Sequence, residues 1–333
     1  MSHKIAVIGA GSWGNTLANL LAKKDYSVNL WVFEADQLAE MQETRMNKRY
    51  LPGVPLPEQL ELTDNLPNAV KQAEILVLAV PSHAMRGVCG NIKPYINEKQ
   101  IFVNVAKGIE NDSLKRTSEV IGEVLAVPES RIATLYGPSH AEEVATEIAT
   151  AVVSASPDLK TARRVRNLFS TNYFRVYSSD DIVGVEVGGS VKNVIAIAAG
   201  VCDGAGFGDN TKAALLTRGM VEIQRLGVAL GAKPETFAGL SGIGDLIVTC
   251  MSKHSRNRHV GEQIGRGRTL KEVLEEMVMV AEGVKTTRSV HQVAQKLGLE
   301  MPISEQVYAV LFHDKNPHEA VEELMTREAK DED

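Results

Sequence analysis

The stretch that most constrains this chain lies at its start. Residues 5–8, Ile-Ala-Val-Ile, are a short continuous apolar run, and Gly9-Ala10-Gly11-Ser12-Trp13-Gly14 follows at once. Residues 15–24 then space their apolar side chains as a helix does. Strand, glycine turn and helix in that order are the context in which GxGxxG carries meaning. Each glycine answers a separate demand. Gly9 permits a tight turn, Gly11 lets backbone N–H groups approach a pyrophosphate at the helix N-terminus, and Gly14 lets helix pack closely on strand. Glu34 ends the next strand-like run, residues 28–33, about 20 residues on, where a carboxylate accepts from ribose hydroxyls. Phe33 beside it is an apolar neighbour and no cation stands there, which favours NAD over NADP unless a Lys or Arg of residues 45–49 folds over the 2′ position. The alternatives are a glycine turn with no ligand and, for Glu34, a surface helix-cap charge.

Further apolar runs follow at residues 75–80, closed by Pro81, at 101–105, closed by Lys107-Gly108, at 132–135, closed by Gly137-Pro138, and at 151–154. Apolar strands alternating with helical stretches predict βαβ units and a parallel sheet covered on both faces. Ser82, after the third run, reads as a helix N-cap. Residues 50–57, YLPGVPLP, are too proline-rich for regular structure and read as an inserted loop. After residue 180 the texture turns helical, over 183–201, 212–230, 256–264, 269–278, 286–297, 304–312 and 317–325, with Gly204, Gly206 and Gly208 in a helix-joining loop. The expected fold class is α/β: an N-terminal Rossmann-like parallel-sheet domain, residues 1–185, and an all-α C-terminal substrate domain, 186–333. The charged tail 330–333 is expected to fray.

Composition narrows the partners. The 333 residues carry 36 Lys and Arg against 42 Asp and Glu, a net charge of −6, which disfavours nucleic acid because phosphate neutralisation needs a basic surface. Cys89, Cys202 and Cys250 are far apart and form no CxxC pair, so a reducing cytosol fits. The apolar run at residue 5 leaves no room for a secretion signal, and residues 193–202, the longest uncharged apolar stretch, are about half of a membrane span. A cytoplasmic protein without membrane insertion is expected, with a homodimer as its assembly.

Four places carry chemistry. Lys107 follows the fourth run and puts an ammonium at the carboxyl edge of the sheet. Lys192 sits among apolar helix residues behind Gly188-Gly189, and either snorkels or is buried for a purpose. A desolvated lysine beside another cation has the lowered pKa that proton transfer near neutral pH requires. Asp245, in GLSGIGDL, pairs with Lys192, binds a substrate hydroxyl or caps a helix. Ser252 to His259, SKHSRNRH, concentrates donors at a helix start, a clamp for an oxyanion or phosphate or else a solvated basic turn. Cys250, His254 and His259 match no standard zinc spacing, so no metal is expected.

Together GAGSWGNTLA, YLPGVPLP, NVAKGIE, YGPSHAEEV, GGSVKNVIAIAAGV, LSGIGDLIVTC, SRNRHVG and AEGVKTT run in order from residue 5 to about residue 288. The set resembles the soluble NAD(P)-dependent glycerol-3-phosphate dehydrogenases. That resemblance implies interconversion of sn-glycerol 3-phosphate and dihydroxyacetone phosphate with NAD or NADP, supplying glycerol 3-phosphate for phospholipid synthesis. It implies Lys192 as proton acceptor, with Lys107 and Asp245 orienting hydroxyls and tuning it. It makes Lys107, Gly137, Ser139, Lys192, Asp245, Ser255, Arg256 and Asn257 the substrate contacts, to which Asn193 is added, with Arg256, Ser255 and Asn257 on the phosphate. It makes Ser12, Trp13, Lys107, Ala141, Arg256, Val280 and Glu282 dinucleotide contacts. Many bacterial members carry basic or His residues after the second strand, whereas this chain has Trp31-Val32-Phe33-Glu34, similar to NAD-specific eukaryotic members. Two other readings compete: a hydroxyacid dehydrogenase of similar build, and a non-catalytic dinucleotide sensor.

Overall fold

The computed structural model describes residues 3–277, 279–329 and 331–332. Val278, at the end of an expected helix, and Lys330 and Asp333 of the expected frayed tail lie outside the described residues. In chain order the first half runs β1 (Lys4–Ile8), α1 (Ser12–Ala22), β2 (Ser27–Trp31), α2 (Ala35–Thr44), β3 (Glu61–Thr63), α3 (Leu66–Gln72), β4 (Ile75–Leu78), α4 (Met85–Ile92), β5 (Ile101–Asn104), α5 (Thr117–Leu125), β6 (Ile132–Tyr136), α6 (Ala141–Ala145), β7 (Thr150–Ala155), α7 (Leu159–Phe169) and β8 (Phe174–Ser179). The strands form one sheet in the order β3-β2-β1-β4-β5-β6-β7-β8. β4, β5 and β6 are buried along their whole length because helices cover both faces of the sheet. One apolar layer gathers Leu17, Leu21, Val77 and Phe174, and the other Leu76, Met85, Phe102 and Ile121. The order reverses between β1 and β4, so the crevice beyond their carboxyl ends is the place where this architecture receives a ligand.

Two expectations need correcting. The sheet is not wholly parallel: β7 runs antiparallel to β6, and β8 is parallel to β7. Only the short α6 separates β6 from β7, and antiparallel neighbours need no long crossover. The second correction is that β3, α7 and β8 have no counterpart in the sequence reading. β3 is three residues long. β8 is an edge strand whose Arg175 and Tyr177 face solvent between buried Phe174 and Val176, so its apolar signal is halved.

The second half is helical throughout its described residues: α8 (Ile182–Gly204), α9 (Asp209–Ala229), α10 (Asp245–Met251), α11 (Arg256–Gly265), α12 (Leu270–Glu276), α13 (Glu282–Leu297), α14 (Pro302–Phe312) and α15 (Pro317–Met325). Asp181 starts α8 by accepting from Gly184 N at 2.9 Å. α8 is the axis of this half, buried from Val185 to Cys202. By length and a mean hydropathy of 1.5 it could cross a bilayer, but 89% of that window is buried inside the protein, so packing uses its length. α11 lies on α8 backbone to backbone: a Cβ on Gly200 would strike Arg258 O, and one on Gly261 would strike Ile197 O. That contact brings the start of α11 beside Asn193, which accepts from Asn257.

Candidate active site

At the dinucleotide end, Gly9 has φ +112°, and a Cβ there would lie 2.7 Å from Ala79 O. A Cβ on Gly14 would strike Gly9 O. Both positions therefore accept glycine alone. Gly11, at the N-cap of α1, faces open space, and α1 has neither a side-chain cap nor an acidic residue in its first turn. The N–H groups of its first turn, Ser12 and Trp13 among them, thus lack helical partners and present a positive end. The carbonyl of Ala10 is held by Gln37 Nε2 and Asn47 Nδ2, each at 2.9 Å. This is a loop built to receive an anion, and it fits a pyrophosphate. Asn47, three residues ahead of the inserted loop 50–57, thus pins the glycine turn.

Glu34 occupies the N-cap position of α2, but its side chain makes no capping bond. Phe33 is 75% exposed and stands edge-on to Trp31, with ring centroids 5.7 Å apart. Of the cations of residues 45–49, Arg45 alone is tied down by hydrogen bonds among the described residues. Arg45 donates to the carbonyls of Pro57 and Leu60, Lys48 lies 3.6 Å from Glu40, and Arg49 covers the Tyr50 ring.

The lysines meet on one carboxylate. Lys192 Nζ donates to Asp245 Oδ1 and to Thr249 Oγ1. Lys107 Nζ donates to Asp245 Oδ2 at 2.8 Å and to Gly137 O at 3.1 Å. Asp245 and Lys192 are buried, and Lys107 is mostly so. Asp245 thus pairs with both lysines rather than capping α10, whose N-cap is Gly244. Burial lowers the Lys192 pKa to about 8, Lys107 pushes the same way, and Asp245 opposes both. The close approach permitted by Gly188-Gly189 is to protein: a Cβ on Gly188 would lie 2.6 Å from Ser241 O, and one on Gly189 2.5 Å from the Tyr136 ring. Gly137 has φ +151° with Val152 Cα 2.9 Å from its virtual Cβ, and Ser139 Oγ donates to its carbonyl at 3.0 Å.

The donor cluster divides. Ser255 caps α11, accepting from Arg258 N at 3.2 Å. Asn257 joins two elements, donating to Asn193 Oδ1 at 3.0 Å and accepting from Gly283 N at 2.8 Å. Arg258 turns away to Asp203 and Glu262. Among the described residues Arg256 has no ion pair. It reaches solvent from within densely packed protein, so desolvation draws its pKa down against Glu282 and Glu142. Lys253, His254 and His259 are exposed. Cys250, His254 and His259 make no cluster, and no group of three His, Cys, Asp or Glu is placed to hold a metal ion among the described residues.

Ser82 corrects the sequence reading. It is the first residue of a short turn whose N-cap is Pro81, and its hydroxyl and N–H donate to Glu282 at 2.6 and 2.9 Å. Glu282 therefore ties the start of α13 to the carboxyl end of β4, with Val280 38% exposed just ahead of it. Ala141 at the start of α6 accepts from Thr16 of α1 at 3.3 Å, which puts it on the dinucleotide side. Thr249 escaped the sequence reading, although it stands four residues after Asp245 on one helix face. His140 escaped it too. Its Nε2 is buried without a partner, its ring centroid is 5.7 Å from that of His254, and burial, then Lys192, lowers its pKa.

Comparison with known proteins agrees with this arrangement. A family model described as the N-terminus of NAD-dependent glycerol-3-phosphate dehydrogenase matches residues 4–162, and the corresponding C-terminal model matches 181–322. The chain is 54% identical over 331 residues to glycerol-3-phosphate dehydrogenase [NAD(P)+] of Citrifermentans bemidjiense, covering 99% of both chains. It is 55% identical over 329 residues to the protein of that name from Prosthecochloris aestuarii, covering 98% of this chain and 99% of that one. Among solved structures, glycerol-3-phosphate dehydrogenase of Coxiella burnetii superposes with a TM-score of 0.94 at 41% identity, over 98% of this chain and 99% of that one.

Proposed function

The chain belongs to the NAD-dependent glycerol-3-phosphate dehydrogenase family, an oxidoreductase family using NAD or NADP, and from that premise we propose how its residues divide the reaction. The reaction interconverts sn-glycerol 3-phosphate, a small phosphorylated substrate, and dihydroxyacetone phosphate. The observation that carries the proposal is the shared carboxylate, Asp245 bonded to Lys107 and to Lys192 at once. In the oxidative direction neutral Lys192 takes the C2 hydroxyl proton. A nicotinamide dinucleotide held at the glycine turn would supply the acceptor for the hydride from C2. Lys107 and the carbonyl of Gly137 orient the hydroxyls from the sheet side. Positioned donors where charge develops are the larger effect, and proton transfer adds on the order of 10²–10⁴-fold.

Arg256, with Ser255, Asn257 and Asn193 around the start of α11, holds the phosphate dianion as a fork. Gly11, Ser12, Trp13 and Gly14 hold the pyrophosphate, and Ala141, Val280 and Glu282 complete the dinucleotide crevice. Phe33 and Glu34 meet the ribose at the end of β2, which favours NAD over NADP. The family resemblance also carries the proposals of a cytoplasmic setting, a homodimeric assembly and a role in phospholipid synthesis. Light scattering at the mass of two chains supports the dimer, and one chain's mass refutes it.

The test is NADH oxidation with dihydroxyacetone phosphate, unphosphorylated dihydroxyacetone and a panel of oxo acids. The proposal expects dihydroxyacetone phosphate to be preferred by kcat/KM over every other compound. An oxo acid turned over better would give the site to a hydroxyacid dehydrogenase, and no turnover with any compound would leave a dinucleotide sensor.

A further inference from the structure

Behind the two lysines lies a buried carboxylate outside the reaction as derived above. Glu186 of α8, 1% exposed, is six residues before Lys192. Its Oε1 accepts from Asn104 Nδ2 at 2.9 Å, Thr117 Oγ1 at 3.1 Å and Ser118 N at 3.0 Å. Its Oε2 accepts from Arg116 Nη1 at 2.8 Å and from Ser118 Oγ. These five donors satisfy the buried carboxylate fully and come from α5, its N-terminal flank and the end of β5.

The same network reaches the lysines from the sheet. With one N–H on Glu186, the other N–H of Asn104 Nδ2 faces Thr134 Oγ1 at 3.1 Å and Tyr136 OH at 3.0 Å, and Asn104 Oδ1 accepts from Ala106 N at 3.0 Å. Tyr136 OH donates to Ala106 O, immediately before Lys107, and Lys107 Nζ stands 5.6 Å from the Tyr136 ring centroid. Tyr136 in turn precedes Gly137, whose carbonyl takes Lys107. The Lys107 end of the Lys107–Asp245–Lys192 unit thus adjoins Ala106, which bonds both Asn104 and Tyr136, and the Lys192 end shares α8 with Glu186.

We infer that Glu186 is a positioning residue for the reaction: it locks α8 to the β5 and β6 ends, so that Lys192 and Lys107 meet Asp245 in a closed, dry geometry. This rests on the proton role proposed for Lys192. The charged and titratable groups around Lys192 are Asp245 and Cys250 on α10, Lys107 after β5 and His140 ahead of α6. Desolvation is the largest cause of the lowered Lys192 pKa. Loosening the lock admits water and raises it. Deleting a negative charge alone would lower it, so the direction separates the two causes.

The experiment is the pH profile of kcat for glycerol 3-phosphate oxidation by Glu186→Gln beside wild type, with KM for NAD. The amide offers donors to groups that are themselves donors. The expected result is an acid limb moved up by about one pH unit, hence about a tenfold loss of kcat near pH 7, with KM for NAD little changed. If Glu186→Gln does not fold, Tyr136→Phe removes the hydroxyl that joins Asn104 to Ala106 O, and a smaller upward move of the same limb is expected. A limb unmoved in the variant that folds, even one with a lowered Tm, overturns the inference. Wild-type enzyme with no turnover overturns the reading beneath it instead.

Discussion

Lys192 illustrates how burial makes a reagent of an ordinary side chain. Neutral amine is scarce at pH 7 on a solvated lysine, but desolvation and the neighbouring Lys107 bring this one to about 8 while Asp245 keeps it oriented. Lys192→Ala is expected to cut kcat at least 100-fold while dinucleotide affinity, measured by calorimetry, stays within a few-fold, because Lys192 stands on α8 and not on the glycine turn. Glu34→Arg is expected to move the NADPH-to-NADH ratio of kcat/KM up by roughly tenfold, since it exchanges a like charge for a cation at the 2′ position. Steady-state kinetics with both dinucleotides check it. An enzyme already preferring NADPH would show that Glu34 does not decide the matter, and Arg45, bound to backbone carbonyls, is poorly placed to do so.

At the scale of elements, the contact between α8 and α11 sets the substrate end. Gly261→Val inserts side-chain volume where Ile197 O already sits, and is expected to cost about 1–3 kcal/mol, read as a lowered Tm. Arg256→Ala leaves that packing intact. It is expected to raise KM for dihydroxyacetone phosphate about ten- to a hundredfold and to improve the relative acceptance of unphosphorylated dihydroxyacetone. An unmoved KM would place Arg256 outside the phosphate site. These elements differed in how clearly the sequence announced them. β1 from Ile5 onward, β4, β5 and β6 are buried on both faces, so their residues are mostly apolar, and continuous runs betray them. β8 and α7 spend half their residues on solvent, and α10 hides behind LSGIG, where Gly242 is pressed against Phe237 O. The lysines and Asp245 were legible because charge amid glycine and apolar residues is conspicuous. Glu186, Thr117 and Asn104 were not, because their pairing spans up to 82 residues of chain and only folding brings them together.

The molecule as a whole is a cofactor-binding sheet and a helical body joined through one helix. We propose residues 1–185 and 186–333 as its two domains. Ile182 and Val185 pack with Tyr136 and Ala155 of the sheet, whereas Val187 and Val191 belong to the helical core, which supports that division. α8 therefore carries Lys192 from one core into the other, and Lys107 from the sheet and Asp245 from the helical body close on it at the site proposed for the reaction. The most direct measurement is kcat against pH in both directions at saturating substrate and dinucleotide. The proposed mechanism needs neutral Lys192 to take the C2 proton and its ammonium to return one. Oxidation of glycerol 3-phosphate is expected to rise as pH climbs through about 8, and reduction of dihydroxyacetone phosphate to fall over the same interval. Profiles that stay flat through that interval in both directions, or a Lys192→Ala enzyme that retains them unaltered, would contradict the account.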